Sequence, residues 1–227
     1  NWYNPEWNIE YVFIANLLAN LTYFPFLLPA LTAFRPKIHL KIFKEMAIYA
    51  FPILLMGIAG TVNEMFSRLM LKNWLPDGFY PNKTNLEMLG IFGANYKLAV
   101  FMTIAIQAFR YASEPFFFTN AKDKNAPQVF AKVMHYFVWV TVCIFIFISI
   151  NKEWIATIFL KQEEYLLGTE IVPVLLLANI FLGIYYNLSV WYKLTDKTYW
   201  GTYITLVGAG LTIGFNYWFI PILGIMG

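Results

Sequence analysis

Charge is scarce in this chain. Only 13% of its 227 residues are Asp, Glu, Lys or Arg, whereas 59% are hydrophobic and 20% aromatic. A water-soluble domain carries about 25% charged residues, so a soluble globular fold is excluded and a membrane protein is expected. Cysteine is scarcer still. The single Cys143 leaves no intrachain disulfide and no thiolate metal framework. The two histidines, His39 and His135, lie near expected helix ends, where an interfacial place suits them. No Ser/His/Asp set, metal-ligand spacing or glycine-rich phosphate loop can be read, so no catalytic residue, cofactor or metal is expected. The net charge of +3 is spread over loops, which gives no footprint for nucleic acid. No signal peptide is visible, residue 1 is Asn rather than Met, and the end at Pro221–Gly227 is abrupt. A piece of a longer membrane protein is the expectation.

What is abundant is apolar sequence in long runs. Trp2, Tyr3 and Trp7 form an aromatic cluster suited to a membrane interface. Tyr11–Phe34 then passes without a charge, long enough to span. Further spans are expected over Met46–Leu71, Gly90–Asn120, Val133–Ile150, Thr169–Tyr192 and Tyr199–Ile220. Together they predict an all-α polytopic transmembrane helical bundle of about six spans. Turn residues Pro76-Asp77-Gly78 and Pro81-Asn82 sit in the loop 72–89, and Lys193–Lys197 makes a tight turn. Between the fourth and fifth spans, Trp154, Ile155, Ile158 and Phe159 oppose Lys152, Glu153, Lys161, Gln162 and Glu163, a pattern for a helix lying flat at the interface. Pro52, Pro173 and Pro221 are expected to kink or end helices, with a hinge conceivable at Pro52. Gly210 and Gly214 suggest a packing face, and Asn82-Lys-Thr84 is a chance-prone glycosylation triplet.

The lysines and arginines choose a side. Loops 35–45, 121–132 and 193–198 hold nine of them, whereas loops 72–89 and 151–168 hold four. The positive-inside rule places the first three loops in the cytoplasm and the N-terminus outside.

The remaining basic residues, Arg68, Lys97 and Arg110, fall inside spans, with Glu64 and Glu114. On the third span, Tyr96, Thr103, Gln107, Arg110 and Glu114 share one narrow helical stripe, and residues 103–114 cover roughly 16 Å of rise. Ionisable groups within a membrane cost about 2.5 kcal/mol or more each and normally face a bundle interior or wet cavity. In the second span, Gly57, Gly60, Glu64, Ser67 and Arg68 share a face that admits a neighbour. Glu64–Arg68 and Arg110–Glu114 are each spaced i, i+4. Read blandly, these are neutralised pairs that staple helices. Read functionally, Arg68, Lys97 and Arg110 line a path for an anion, since guanidinium binds phosphate bidentately and stays charged when desolvated.

Three segments carry a family resemblance: Gly57-Ile-Ala-Gly-Thr-Val-Asn-Glu-Met-Phe-Ser-Arg68, Ala94-Asn-Tyr-Lys-Leu-Ala-Val-Phe-Met102, and Gln107-Ala-Phe-Arg-Tyr-Ala-Ser-Glu-Pro-Phe-Phe-Phe118. With the ending Tyr217–Gly227, they resemble bacterial lipid-linked oligosaccharide flippases of the multidrug/oligosaccharidyl-lipid/polysaccharide (MOP) exporter superfamily. The resemblance implies a partial MOP/MATE-like two-lobe transporter. Residues 1–34 would be the last helix of the first lobe, 35–45 the cytoplasmic interlobe linker and 46–227 the first five helices of the second lobe. It further implies a polyprenyl-diphosphate-linked glycan as cargo, flipped across the bacterial inner membrane for O-antigen or capsule synthesis. Membrane lipids and a polysaccharide polymerase machinery would be its partners. Arg110, Lys97, Arg68, Gln107 and Tyr96 would contact substrate, and Glu64 and Glu114 would orient them or carry protons. Alternating access with cargo near mid-membrane is the expected mechanism. The rivals are a drug or cation antiporter of the same fold, a membrane-embedded sugar acyltransferase and a non-transporting scaffold.

Overall fold

Hydroxyl and proline side chains punctuate the first apolar run more sharply than its hydropathy suggests. A computed structural model describes residues 10–33 and 39–227; the side chains at 30, 31, 33 and 62–64 fall outside the description. The helix expected over Tyr11–Phe34 is two, α1 (Glu10–Leu21) and α2 (Phe24–Ala33). At the break, Thr22 Oγ1 donates to the Ala19 carbonyl at 2.6 Å. Pro25 sits in the first turn of α2, where its missing N–H has no intrahelical acceptor to lose. The aromatic cluster Trp2, Tyr3 and Trp7 and the basic Arg35 and Lys37 lie outside the described residues. The chain divides into two compact units at Met46 and Ala47.

The next three helices start earlier than the apolar runs, because caps and helix-forming polar residues extend them. The run from Thr169, by contrast, becomes α-helical only at Val172, and the last starts at Tyr199 as expected. The third, α3 (Leu40–Trp74), begins within the expected linker, since Leu40–Met46 holds no Gly or Pro. Pro52 stays inside α3, and its carbonyl accepts from Thr202 Oγ1 at 2.9 Å. Next, α4 (Asn85–Asn120) starts five residues before Gly90 at a capping box: Glu87 N–H donates to Thr84 Oγ1 at 3.3 Å, and Thr84 N–H donates to Glu87 Oε2 at 2.7 Å. Thr84 of the glycosylation triplet is thus a helix cap. Pro127 in the first turn starts α5 (Ala126–Ile150), which makes His135 its tenth residue rather than its beginning. There Trp139 Nε1 donates to His135 Nε2 at 3.0 Å. The chain continues through α6 (Lys152–Leu160), a 3-10 segment (Glu163–Ile171), α7 (Val172–Leu194) and α8 (Tyr199–Leu223).

Among the described residues every regular element is helical, and six stretches are long and apolar enough to cross a membrane. The protein is an all-α, multi-pass membrane bundle.

Within the second unit the core is the seam between α4 and α7, flanked by α5 and α6. Leu98, Met102 and Ile106 of α4 interdigitate with Leu176 and Ile180 of α7, Phe137 of α5 and Ile155 of α6. A second cluster joins Met70 and Leu71 of α3 to Met88 and Ile91 of α4 and Ile171. Large apolar side chains elsewhere, such as Tyr111 and Ile150, point outward, as a lipid-solvated bundle requires. The flat-helix pattern is corrected in one respect. Ile155 turns into the core with Ala156 and Leu160, leaving Trp154, Ile158 and Phe159 exposed. A Cβ added at Gly210 or Gly214 would meet nothing within 4 Å, so no described neighbour packs on that face.

Candidate functional site

The stripe on α4 faces α7 over most of its length. Thr103 Oγ1 lies 3.2 Å from Asn179 Oδ1. Four residues on, Gln107 is half-buried. Arg110 and Glu114 then meet three α7 side chains, Tyr186, Asn187 and Lys193, around a narrow crevice also bordered by Phe109 and Ser113. The Arg110 guanidinium lies over the Tyr186 ring, 4.7 Å from its centroid, and its Nε is 3.7 Å from Glu114 Oε2. Glu114's other oxygen accepts from Lys193 Nζ at 2.6 Å.

These contacts divide the labour. The Lys193 side chain is only 14% exposed, so its ammonium is committed to Glu114. The Arg110 side chain is 37% exposed and anchored from one side by a carboxylate and from beneath by an aromatic face. An aromatic face attracts a cation by about 0.5–2 kcal/mol without consuming the N–H donors at its edge. Two cations and one carboxylate leave a surplus positive charge. Asn187 Nδ2, buried at the same crevice, has no hydrogen-bond partner among the described residues. The donors that converge here suit an anion.

Arg68 belongs to a separate station, and Lys97 joins neither. The Arg68 guanidinium lies 5.2 Å from the centroid of Tyr96, joining α3 to α4, and the neighbouring Ser67 Oγ accepts from Asn216 Nδ2 of α8 at 3.0 Å. Lys97 is exposed one residue beyond Tyr96. Tyr96 and Arg110 are separated by 14 residues of α4, roughly 21 Å of rise. Arg68 and Lys97 therefore do not join Arg110 around one small anion. Glu64 belongs to α3, but its side chain, and so any Glu64–Arg68 pair, lies outside the described residues.

The sequence profile of the MatE family matches residues 88–218, more than half of the chain. The chain belongs to the MatE family. No curated protein and no solved structure gave a significant match. Family members are transporters, and this MatE chain is accordingly a multi-pass membrane transporter of the MOP superfamily. The matched segment contains α4 from Met88 onward, all of α5 to α7 and most of α8, and therefore the whole Arg110 cluster.

Three residues of the MatE cluster, Tyr186, Asn187 and Lys193, escaped the sequence reading. Lys193 counted as a turn residue, yet α7 carries it in its last turn. It lies seven residues beyond Tyr186 on one helical face, a spacing that could have linked them. Tyr186 was hidden among tyrosines, and only its place opposite Arg110 distinguishes it.

Proposed function

We propose that this transporter flips a polyprenyl-diphosphate-linked oligosaccharide from the cytoplasmic to the outer leaflet of a bacterial inner membrane, for surface polysaccharide synthesis. The supporting observation is Arg110 itself, held over Tyr186 and beside Glu114 with part of its guanidinium exposed. A diphosphate presents the oxygens that such a fork binds. The Arg68–Tyr96 station, roughly 21 Å along the same helix, supplies a second cationic stop. In alternating access the headgroup passes from one stop to the other as the lobes rock. The basic segments 35–45, 121–132 and 193–198, part loop and part helix end, face the cytoplasm in this arrangement, which puts the Arg110 cluster nearer the loading side.

The test uses the full-length protein in proteoliposomes with a fluorescent polyprenyl-diphosphate glycan. Arg110→Ala lowers the flipping rate by about 30-fold, the loss of a charged hydrogen-bonded contact worth about 2 kcal/mol, and Arg110→Lys recovers part of it. An unchanged rate in Arg110→Ala removes Arg110 from the mechanism. Export of a lipophilic cation without any glycan flipping would replace this reading with drug or cation antiport.

A further inference from the structure

A second recess lies beyond Phe109, on the α5 side of α4. It is a groove of about 250 Å³ lined by Ala105 and Phe109 of α4 and by Val133, Tyr136, Val140 and Thr141 among the α5 residues. It offers no hydrogen-bond donor from Thr141, whose hydroxyl donates to its own helix at Phe137 O, 2.9 Å away. Tyr136 and Val140 are exposed, so the groove opens sideways rather than into the bundle. From Val133 to Thr141 it follows α5 for roughly 12 Å. Ala105 is the small residue that leaves it open.

The groove and the Arg110 crevice share a wall. Phe109 lines both, and its ring packs on Phe137 at 4.6 Å between centroids. On one side of this aromatic pair is a largely apolar slot, with the Tyr136 hydroxyl at its exposed wall. On the other is a cluster with surplus positive charge. A molecule that is an anion at one end and a slender hydrocarbon at the other complements both at once. We propose that the α4–α5 groove seats the first isoprene units of the lipid whose diphosphate meets Arg110. This inference rests on the function proposed above and adds a selection for a hydrocarbon tail next to the diphosphate. Burying each further methylene of the tail contributes binding free energy that a truncated lipid lacks.

Two substrates with the same diphosphate-linked glycan separate the contributions, one on a long polyprenyl chain and one on a methyl group, a short chain with no isoprene unit to enter the groove. In the full-length protein, Ala105→Phe fills the groove. Flipping of the long-chain substrate falls about tenfold, the loss of a pair of buried methylenes, and the short-chain rate stays within about twofold. The retained short-chain rate reports a folded transporter. Val140→Phe narrows the groove from the opposite, exposed wall and decides the matter if Ala105→Phe fails to fold. An unchanged long-chain rate, or an equal loss for both chain lengths, overturns the groove. Arg110→Ala slows both substrates alike when the headgroup reading holds. If it slows neither while Ala105→Phe still discriminates by length, the tail groove stands and the diphosphate contact at Arg110 falls.

Discussion

Gly183 is where a single methyl group tests how tightly the core beside the site is packed. It lies on α7 against α5, and a Cβ there would overlap Phe137 Cζ and stand 3.2 Å from Ile106 Cγ1. Phe137 is 4% exposed and packed on Phe109, so its ring can yield only toward the α4–α5 groove that it also lines, at the expense of the Phe109 contact. Overpacking of this kind costs about 1–3 kcal/mol. Losing the ring pair costs about 0.5–1.5 kcal/mol more. Against this, alanine gains about 1 kcal/mol over glycine in helix propensity. Gly183→Ala is therefore expected to destabilise the full-length protein by about 1–3 kcal/mol, read by SDS titration in mixed micelles with far-UV circular dichroism. Phe137→Leu in the same chain should relieve the clash, so the double variant loses about 1 kcal/mol less than the two single losses together. Gly183→Ala matching or exceeding the parent in stability, or strict additivity with Phe137→Leu, would refute the packing argument.

Two further outcomes follow from contacts already described. Tyr186→Leu removes the ring beneath Arg110 while keeping bulk in the crevice; flipping slows about fivefold, as expected for a partly exposed cation–π contact of about 1 kcal/mol, and an unchanged rate would mean that the ring does not position Arg110. Asn95 is fully buried and donates to Ile91 O at 2.9 Å and Tyr165 O at 2.7 Å, so Asn95→Ala should cost about 2–3 kcal/mol in the same SDS titration, and a loss under about 0.5 kcal/mol would show those bonds to be dispensable.

The helical class was legible because a chain this poor in charge has few other ways to satisfy its backbone. The side of α4 that matters was legible too, since Thr103, Arg110 and Glu114 interrupt otherwise apolar sequence at helical spacing. What faces that side was not. Periodicity orders residues around one helix but says nothing of its neighbour. Thus α7, not α3, supplies the partners of Arg110 and Glu114. Helix ends were misjudged wherever polar residues cap or prolong an apolar run, as Thr84 does for α4 and Leu40–Met46 for α3. Ile155 shows the same limit on a smaller scale. Its hydropathy matches that of Ile158, and only the α4–α7 seam decides that one is covered and the other bare.

Because one carboxylate, Glu114, ties down cations on two helices, residues 110, 114 and 193 are bound into epistasis. Neutralising position 114 alone frees a lysine and an arginine simultaneously, so its phenotype mixes two opposite effects: an unanchored side chain at 110 and a stronger local positive field. A Glu114→Gln phenotype taken for broken proton coupling would therefore mislead unless compared with a Glu114→Gln/Lys193→Met pair, in which the excess charge is removed again.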